Sequence, residues 1–233
     1  MNILYISLDR RENRLGWLLA LFYIPAAMFF TWAGWDCFLL ALAFCAVILP
    51  VFRRFWKETA FVLATSWKSL LWKPLAVCLL AKLCCTVIND IAFFYGLTFT
   101  VETGWGPFLW DIRADLLSRN LSPVSALTMV FLLPIVEEFL FRGVIFGTLY
   151  SKSSLTAFLA ATVLFALFHS LPYLSCFQPG SPYATLYLPL YFIQYIPFGL
   201  LLAGLYTHMD TLAAPIVMHM IYNAYLLKAA LNY

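Results

Sequence analysis

VEEFLFRGV, residues 136–144, sets two carboxylates and a guanidinium among side chains that otherwise belong in hydrocarbon. Glu137, Glu138 and Arg142 fall within an apolar run from Leu121 to Tyr150 that is too hydrophobic to be the surface helix of a soluble domain. Such a run reads as a membrane span. A charge near its middle costs about 2.5 to 3.5 kcal/mol on insertion scales, so charged groups there face the interior of a bundle and mark a functional position. Glu138 and Arg142 are four apart, the spacing at which a carboxylate N-terminal to a cation pairs on a helix. Glu137 projects about 100° away and has no local partner, as suits a general base. If the three charges only stapled two spans together, the second carboxylate would have no purpose.

The rest of the chain has the same character. Of its 233 residues 64% are hydrophobic and 11% charged, against roughly a quarter charged in soluble domains. The expected fold is an all-α polytopic helical bundle, one membrane domain over residues 1–233. With roughly 20 helical residues needed per crossing, the spans fall at about 15–33, 36–52, 74–99, 121–150, 155–172, 183–206 and 211–230, which makes seven. The stretch WKETAFVLATSWKSLLW (56–72) is short and carries Lys57, Glu58 and Lys68, so it reads as an interfacial helix. Were it to cross, the count would be eight and every later segment would change sides. A second amphipathic stretch, GWGPFLWDIRADLLSRN (104–120), reads as lying along the other interface. Trp residues flank the apolar runs, as rings at headgroup level do. The first run lacks the short apolar region and small-residue cleavage site of a signal peptide and is read as a retained span.

The net charge of +3 is too small and scattered for nucleic acid. Arg10, Arg11 and Arg14 precede the first span and Arg53, Arg54 and Lys57 follow the second, the pattern of segments held in the cytoplasm, here inside a cell inner membrane. Cys37, Cys45, Cys78, Cys84 and Cys85 lack metal-ligand spacing and read as packing residues. Helix starts are marked by Ser122-Pro123, Ser154 and Asp210. Lys82 and Asp90 share a face, and His208 beside Asp210 reads as the interfacial end of a span.

Two further spans carry polar groups. FALFHS (165–170) places Phe165 and His169 on one helical face, and HMIYN (219–223) does the same for His219 and Asn223. Measured from the caps at about 1.5 Å per residue, Glu137 and His169 each lie roughly 22 Å along their helices and His219 roughly 13 Å along the last. The 123–150 helix is about 40 Å long and must tilt or protrude, which brings Glu137 towards the level of the histidines.

EExxxR in Glu137, Glu138 and Arg142, FxxxH in Phe165 and His169, and HxxxN in His219 and Asn223 together resemble the motif set of the CAAX protease and bacteriocin-processing family, also called the Abi family. The resemblance covers residues 121–230, the expected catalytic core. It implies a glutamate-type intramembrane endopeptidase in which Glu137 and His169 activate a water. His219 and Asn223 then stabilise the oxyanion, and Glu138 and Arg142 form a supporting ion pair. It implies a protein or peptide substrate presented at the lipid membrane, and a metal-free reaction without a cofactor. Zinc is the competing use of two histidines and a glutamate, although no HExxH is present. The same family includes members linked to bacteriocin self-protection, so a non-enzymatic immunity or scaffold protein is the rival reading. With seven spans and a cytoplasmic N-terminus, His169 approaches the outer leaflet, which suits processing of exported or C-terminally anchored proteins.

Overall fold

The computed structural model describes residues 8–32, 37–94, 122–170 and 182–231, all of them helical or in short connections. Among the described residues eight helices follow one another: α1 (Arg10–Trp32), α2 (Phe38–Val51), α3 (Arg53–Thr65), α4 (Trp67–Phe94), α5 (Pro123–Tyr150), α6 (Ser154–Ser170), α7 (Pro182–Met209) and α8 (Ala213–Leu231). Four of them, α1, α4, α5 and α7, are long and apolar enough to cross a membrane. A fifth crossing is counted if α2 and α3, bent by 93° at Phe52, form one broken span. The chain is a multi-pass membrane protein. The amphipathic stretch expected over 104–120 lies outside the described residues.

The stretch expected to be one interfacial helix over 56–72 is instead divided at Ser66. Its first part belongs to α3, whose strongly one-sided pattern buries Phe55 and Thr59 and leaves Arg53, Arg54 and Lys57 exposed. Trp67 to Trp72 open α4 instead, with Lys68 and Lys73 in its first two turns, where long cationic side chains reach headgroups while their stems stay in hydrocarbon. Two of the three expected caps also shift. Ser122 does cap α5, accepting from the Ser125 N–H at 3.0 Å with Pro123 in the first turn. For α6 the capping hydroxyl is that of Ser153, accepting from the Thr156 N–H at 3.3 Å, and not that of Ser154. Ahead of α8 the hydroxyl of Thr211 takes the Ala213 N–H at 3.2 Å. Asp210 serves the preceding turn instead: its φ of 52° is left-handed, a conformation that Asp tolerates better than most residues.

α5 sits at the centre, packed against α1, α2, α6 and α8, with α7 touching its C-terminal half. From Phe139 to Ile145 every residue is buried, whereas leucines on the outer helices (Leu21, Leu39, Leu79, Leu83, Leu155) are exposed. That inversion suits a bundle whose outer solvent is lipid. Around α5 the core is aromatic: Phe139 stacks among Phe52, Phe55 and Trp56, and Phe146 among Tyr150, Phe158 and Tyr206. Polar bonds tie the helix ends together. Thr148 near the end of α5 donates to Asn13 Oδ1 at 2.6 Å and accepts from Trp17 at 3.3 Å, and Lys73 at the start of α4 lies 3.3 Å from His208 at the end of α7.

α1 approaches α5 closely because residue 16 is glycine: a Cβ there would lie 2.7 Å from the buried Val144 side chain. Gly16→Val is therefore expected to lower stability by about 1 to 3 kcal/mol, the usual cost of overpacking. A thermal melt of the purified protein in detergent measures it.

Candidate active site

The central helix is not a regular α-helix. The Leu133 N–H bonds to the Thr128 carbonyl five residues back, and a second wide stretch runs from Phe139 to Phe146, with the Gly147 N–H reaching Arg142. Glu137 and Glu138 lie in the one regular segment between them, Leu133–Glu138. The cause of the first wide turn is Pro134. A proline in a helix interior has no N–H, and its ring collides with the carbonyl four residues earlier. Widening by one residue accommodates the ring and leaves the Met129 carbonyl without a donor, since Leu133 is spent on Thr128 and the residue five along from Met129 is Pro134 itself. Asn223 supplies the missing bond: its Nδ2 donates to the Met129 oxygen at 2.8 Å. α8 is thereby pinned to α5 two turns before the glutamates.

The glutamates divide as their helical offset requires. Glu138, fully buried, accepts from Arg142 at 3.1 Å and from the Nδ1 of His219 at 2.7 Å, both on Oε1. Arg142, also fully buried, gives a second hydrogen bond to the Gly199 carbonyl at 3.2 Å, and its guanidinium lies 4.3 Å over the Phe165 ring. Gly199 can come this close because a Cβ there would press on Thr162 of α6 at 3.2 Å. One ion pair thus holds α5 to α6, α7 and α8. Glu137 turns the other way, with its Oε2 3.4 Å from His169 Nε2 and 3.8 Å from His219 Nε2.

Second bonds fix both imidazoles. The His169 Nδ1 lies 3.0 Å from the Phe165 carbonyl, which can only accept, so Nδ1 carries a proton and Nε2 is presented to Glu137. His219 is oriented the same way by the Glu138 carboxylate. The rings pack against Phe165, Tyr195 and Phe198. His169 is the most open of the group, its side chain 17% exposed in the last turn of α6. The five charged or titratable residues picked out by spacing therefore converge on one site. Asn223, the sixth, lies one helical turn beyond His219, with one amide hydrogen on Met129.

Two features of the site carry no motif: the Gly199 carbonyl and the Met129 carbonyl are backbone groups. Lys82, read as sharing a face with Asp90, places its ammonium 5.6 Å over the Tyr225 ring, outside the cluster. None of the five described cysteines forms a disulfide, and three of them are buried.

Residues 119–225 match the family model of the type II CAAX prenyl endopeptidases, Rce1-like. Over that stretch, a little under half of its length, the chain is similar to the Rce1-like family. No curated protein and no solved structure matches the chain. The Rce1-like family is one of hydrolases, and the match takes in α5, α6, α7 and α8 as far as Tyr225. A buried cluster of glutamate and two histidines within its Rce1-like segment is consistent with an active site. The ligand atoms of Glu137, His169 and His219 all lie within 4.8 Å of one another, so the same three side chains could also hold a metal ion.

The bond between Asn223 and the bulge gives a measurable coupling. Asn223→Ala strands a partly buried carbonyl and is expected to cost about 1 kcal/mol of stability. In a Pro134→Ala background residue 134 regains its N–H and the cost shrinks. Unfolding midpoints of the two single variants and the double variant form the cycle that reads this coupling.

Proposed function

We propose that this chain is an intramembrane endopeptidase that hydrolyses a peptide bond of a protein or peptide presented at the membrane. One observation carries the reading: in a segment similar to the Rce1-like family, Glu137 faces the Nε2 atoms of both His169 and His219 at 3.4 and 3.8 Å within a buried helical core. Glu137 and His169 take a proton from a water, and the resulting hydroxide attacks the scissile carbonyl carbon. Negative charge then develops on the carbonyl oxygen, where His219 and the second amide hydrogen of Asn223 donate to it. When the tetrahedral intermediate collapses, the C–N bond breaks and the proton held at Glu137 passes to the leaving amine. Glu138 and Arg142 make no bond to substrate; they hold His219 and compensate its charge when it carries both ring protons.

The site opens outward in this proposal, and the chain crosses seven times with its N-terminus in the cytoplasm. The bonded helix ends support it. With α3 along the inner interface, the start of α1 and the end of α5 share the cytoplasmic side, as the Asn13–Thr148 bond requires. A crossing by α3 would put them on opposite sides. At 17 residues α6 is about 26 Å long, close to the thickness of the hydrocarbon core. His169 stands at its far end, towards the outer leaflet. The family is named for prenylated CAAX substrates; an outward-facing site suits exported or C-terminally anchored proteins instead. Reporter fusions after residues 57, 152 and 209 are expected to be cytoplasmic and one after residue 104 external.

Glu137→Ala, His169→Ala and His219→Ala are each expected to slow cleavage by at least about 10²-fold while the protein still accumulates in membranes. Comparative proteomics of a deletion strain and a Glu137→Ala strain should reveal the same uncleaved membrane protein. Full biological activity of Glu137→Gln would instead favour a non-enzymatic immunity or scaffold role. The compact ligand set favours one further reading, a zinc-dependent hydrolase. Exhaustive chelation separates the two: cleavage is expected to survive it, whereas a loss restored by zinc assigns the site to the metal.

A further inference from the structure

Tyr23 lies on α1, outside the family-matched residues, and is fully buried. Its ring is clamped edge-on by Phe44 of α2 at 4.8 Å and stacked on Phe168 of α6 at 6.3 Å, and Phe168 in turn packs on His169 at 5.0 Å. The clamp fixes where the phenol tip points. Buried tyrosine hydroxyls almost always find a hydrogen-bond partner, yet that of Tyr23 has none among the described residues. It lies within electrostatic reach of the Glu137 carboxylate. An apolar core would be served better by phenylalanine, which fills the same space without an unsatisfied polar atom. The hydroxyl is therefore retained at a cost, within electrostatic reach of the one carboxylate of the cluster that is free of the ion pair.

We infer that Tyr23 is a further catalytic residue of the Glu137 site, its hydroxyl donating a hydrogen bond to the reacting oxygen held against that carboxylate. A phenol is suited to this. It stays protonated at neutral pH, donates one hydrogen bond and brings no additional charge into the core. Its donation is preorganised by the aromatic clamp, so no reorganisation is needed when charge develops on the oxygen. The N-terminal half of the chain then contributes a group to the chemistry as well as a wall to the bundle.

The inference rests on the endopeptidase reading, and one experiment separates the two. Host cells lacking the native copy express the wild-type chain, Glu137→Ala or Tyr23→Phe, and pulse-labelled membrane proteins are followed for new termini. Termini that form with wild type and are absent with Glu137→Ala identify the substrate directly. Tyr23→Phe is expected to form the same termini on the order of 10²-fold more slowly, with a melting temperature unchanged or raised because an orphaned polar atom has been removed. Formation at the wild-type rate, or a lowered melting temperature that reveals a structural bond for the hydroxyl, overturns the inference and leaves the peptidase reading standing. If no terminus depends on Glu137, both fall together.

Discussion

The buried pair of Glu138 and Arg142 is the constraint on which the helix arrangement depends. An ion pair removed from water is favourable only when its remaining donors and acceptors are met by good partners, and breaking one by removing a single member costs about 3 to 5 kcal/mol. Here most of the partners come from three other helices, while Glu138 Oε2 and Arg142 Nε stay buried without a hydrogen-bond partner among the described residues. The Gly199 carbonyl takes one guanidinium nitrogen, the Phe165 ring lies under its face, and His219 gives a hydrogen bond to the carboxylate. None of these contacts is within reach unless α6, α7 and α8 are docked, so the same charges that make α5 costly in lipid select a single packing for it. In water such a pair would contribute little; in a bundle surrounded by hydrocarbon it acts as a positional lock.

Two adjacent glutamates are useful because a helix sends them to different neighbours. Glu138 is committed to the lock, while Glu137, offset by about 100°, meets only nitrogen atoms whose second ring position is already engaged. Glu137 thereby faces the Nε2 atoms of His169 and His219 at 3.4 and 3.8 Å, an arrangement that the proposed water activation uses, and the ion pair beside it fixes where His219 stands. The division of labour follows from helix geometry before any chemistry is considered.

Much of this was legible in the sequence, for physical reasons. Charged residues in apolar runs are costly enough to stand out, and i, i+4 spacing decides which of them share a face; that suffices to single out Glu137, Glu138, Arg142, His169 and His219. Helix existence followed from hydropathy, but helix ends did not. The cap falls on Ser153 where Ser154 is equally suitable by type, and the break at Ser66 divides a stretch whose composition is uniform. Backbone acceptors such as Gly199 leave no trace in side-chain patterns. Tyr23 was hidden because tyrosine is common in spans and its isolation becomes visible only when its surroundings are known. Pro134 stands in mid-span, where a proline disturbs a helix, yet only the structure shows that the freed carbonyl reaches Asn223.

That last contact joins two roles usually set against each other. A residue that stabilises an oxyanion is effective only if its donor is fixed before the charge appears, and a flexible amide on an α-helix is a poor candidate unless something holds it. The amide of Asn223 has two hydrogens. One is held by a carbonyl that Pro134 has deprived of its helical donor, an acceptor whose position is set by the backbone of the very helix that carries Glu137 and Glu138. Rotation about the terminal torsion is thereby restricted, and the second hydrogen is restricted with it. A proline that would ordinarily weaken a span here creates an acceptor, the acceptor orients an amide, and the amide is tied in register to the carboxylates with which the proposed mechanism pairs it. The irregularity of α5 is thus part of how α8 is held in place, and a perfectly regular helix at this position would present the same side chains without fixing the Asn223 amide.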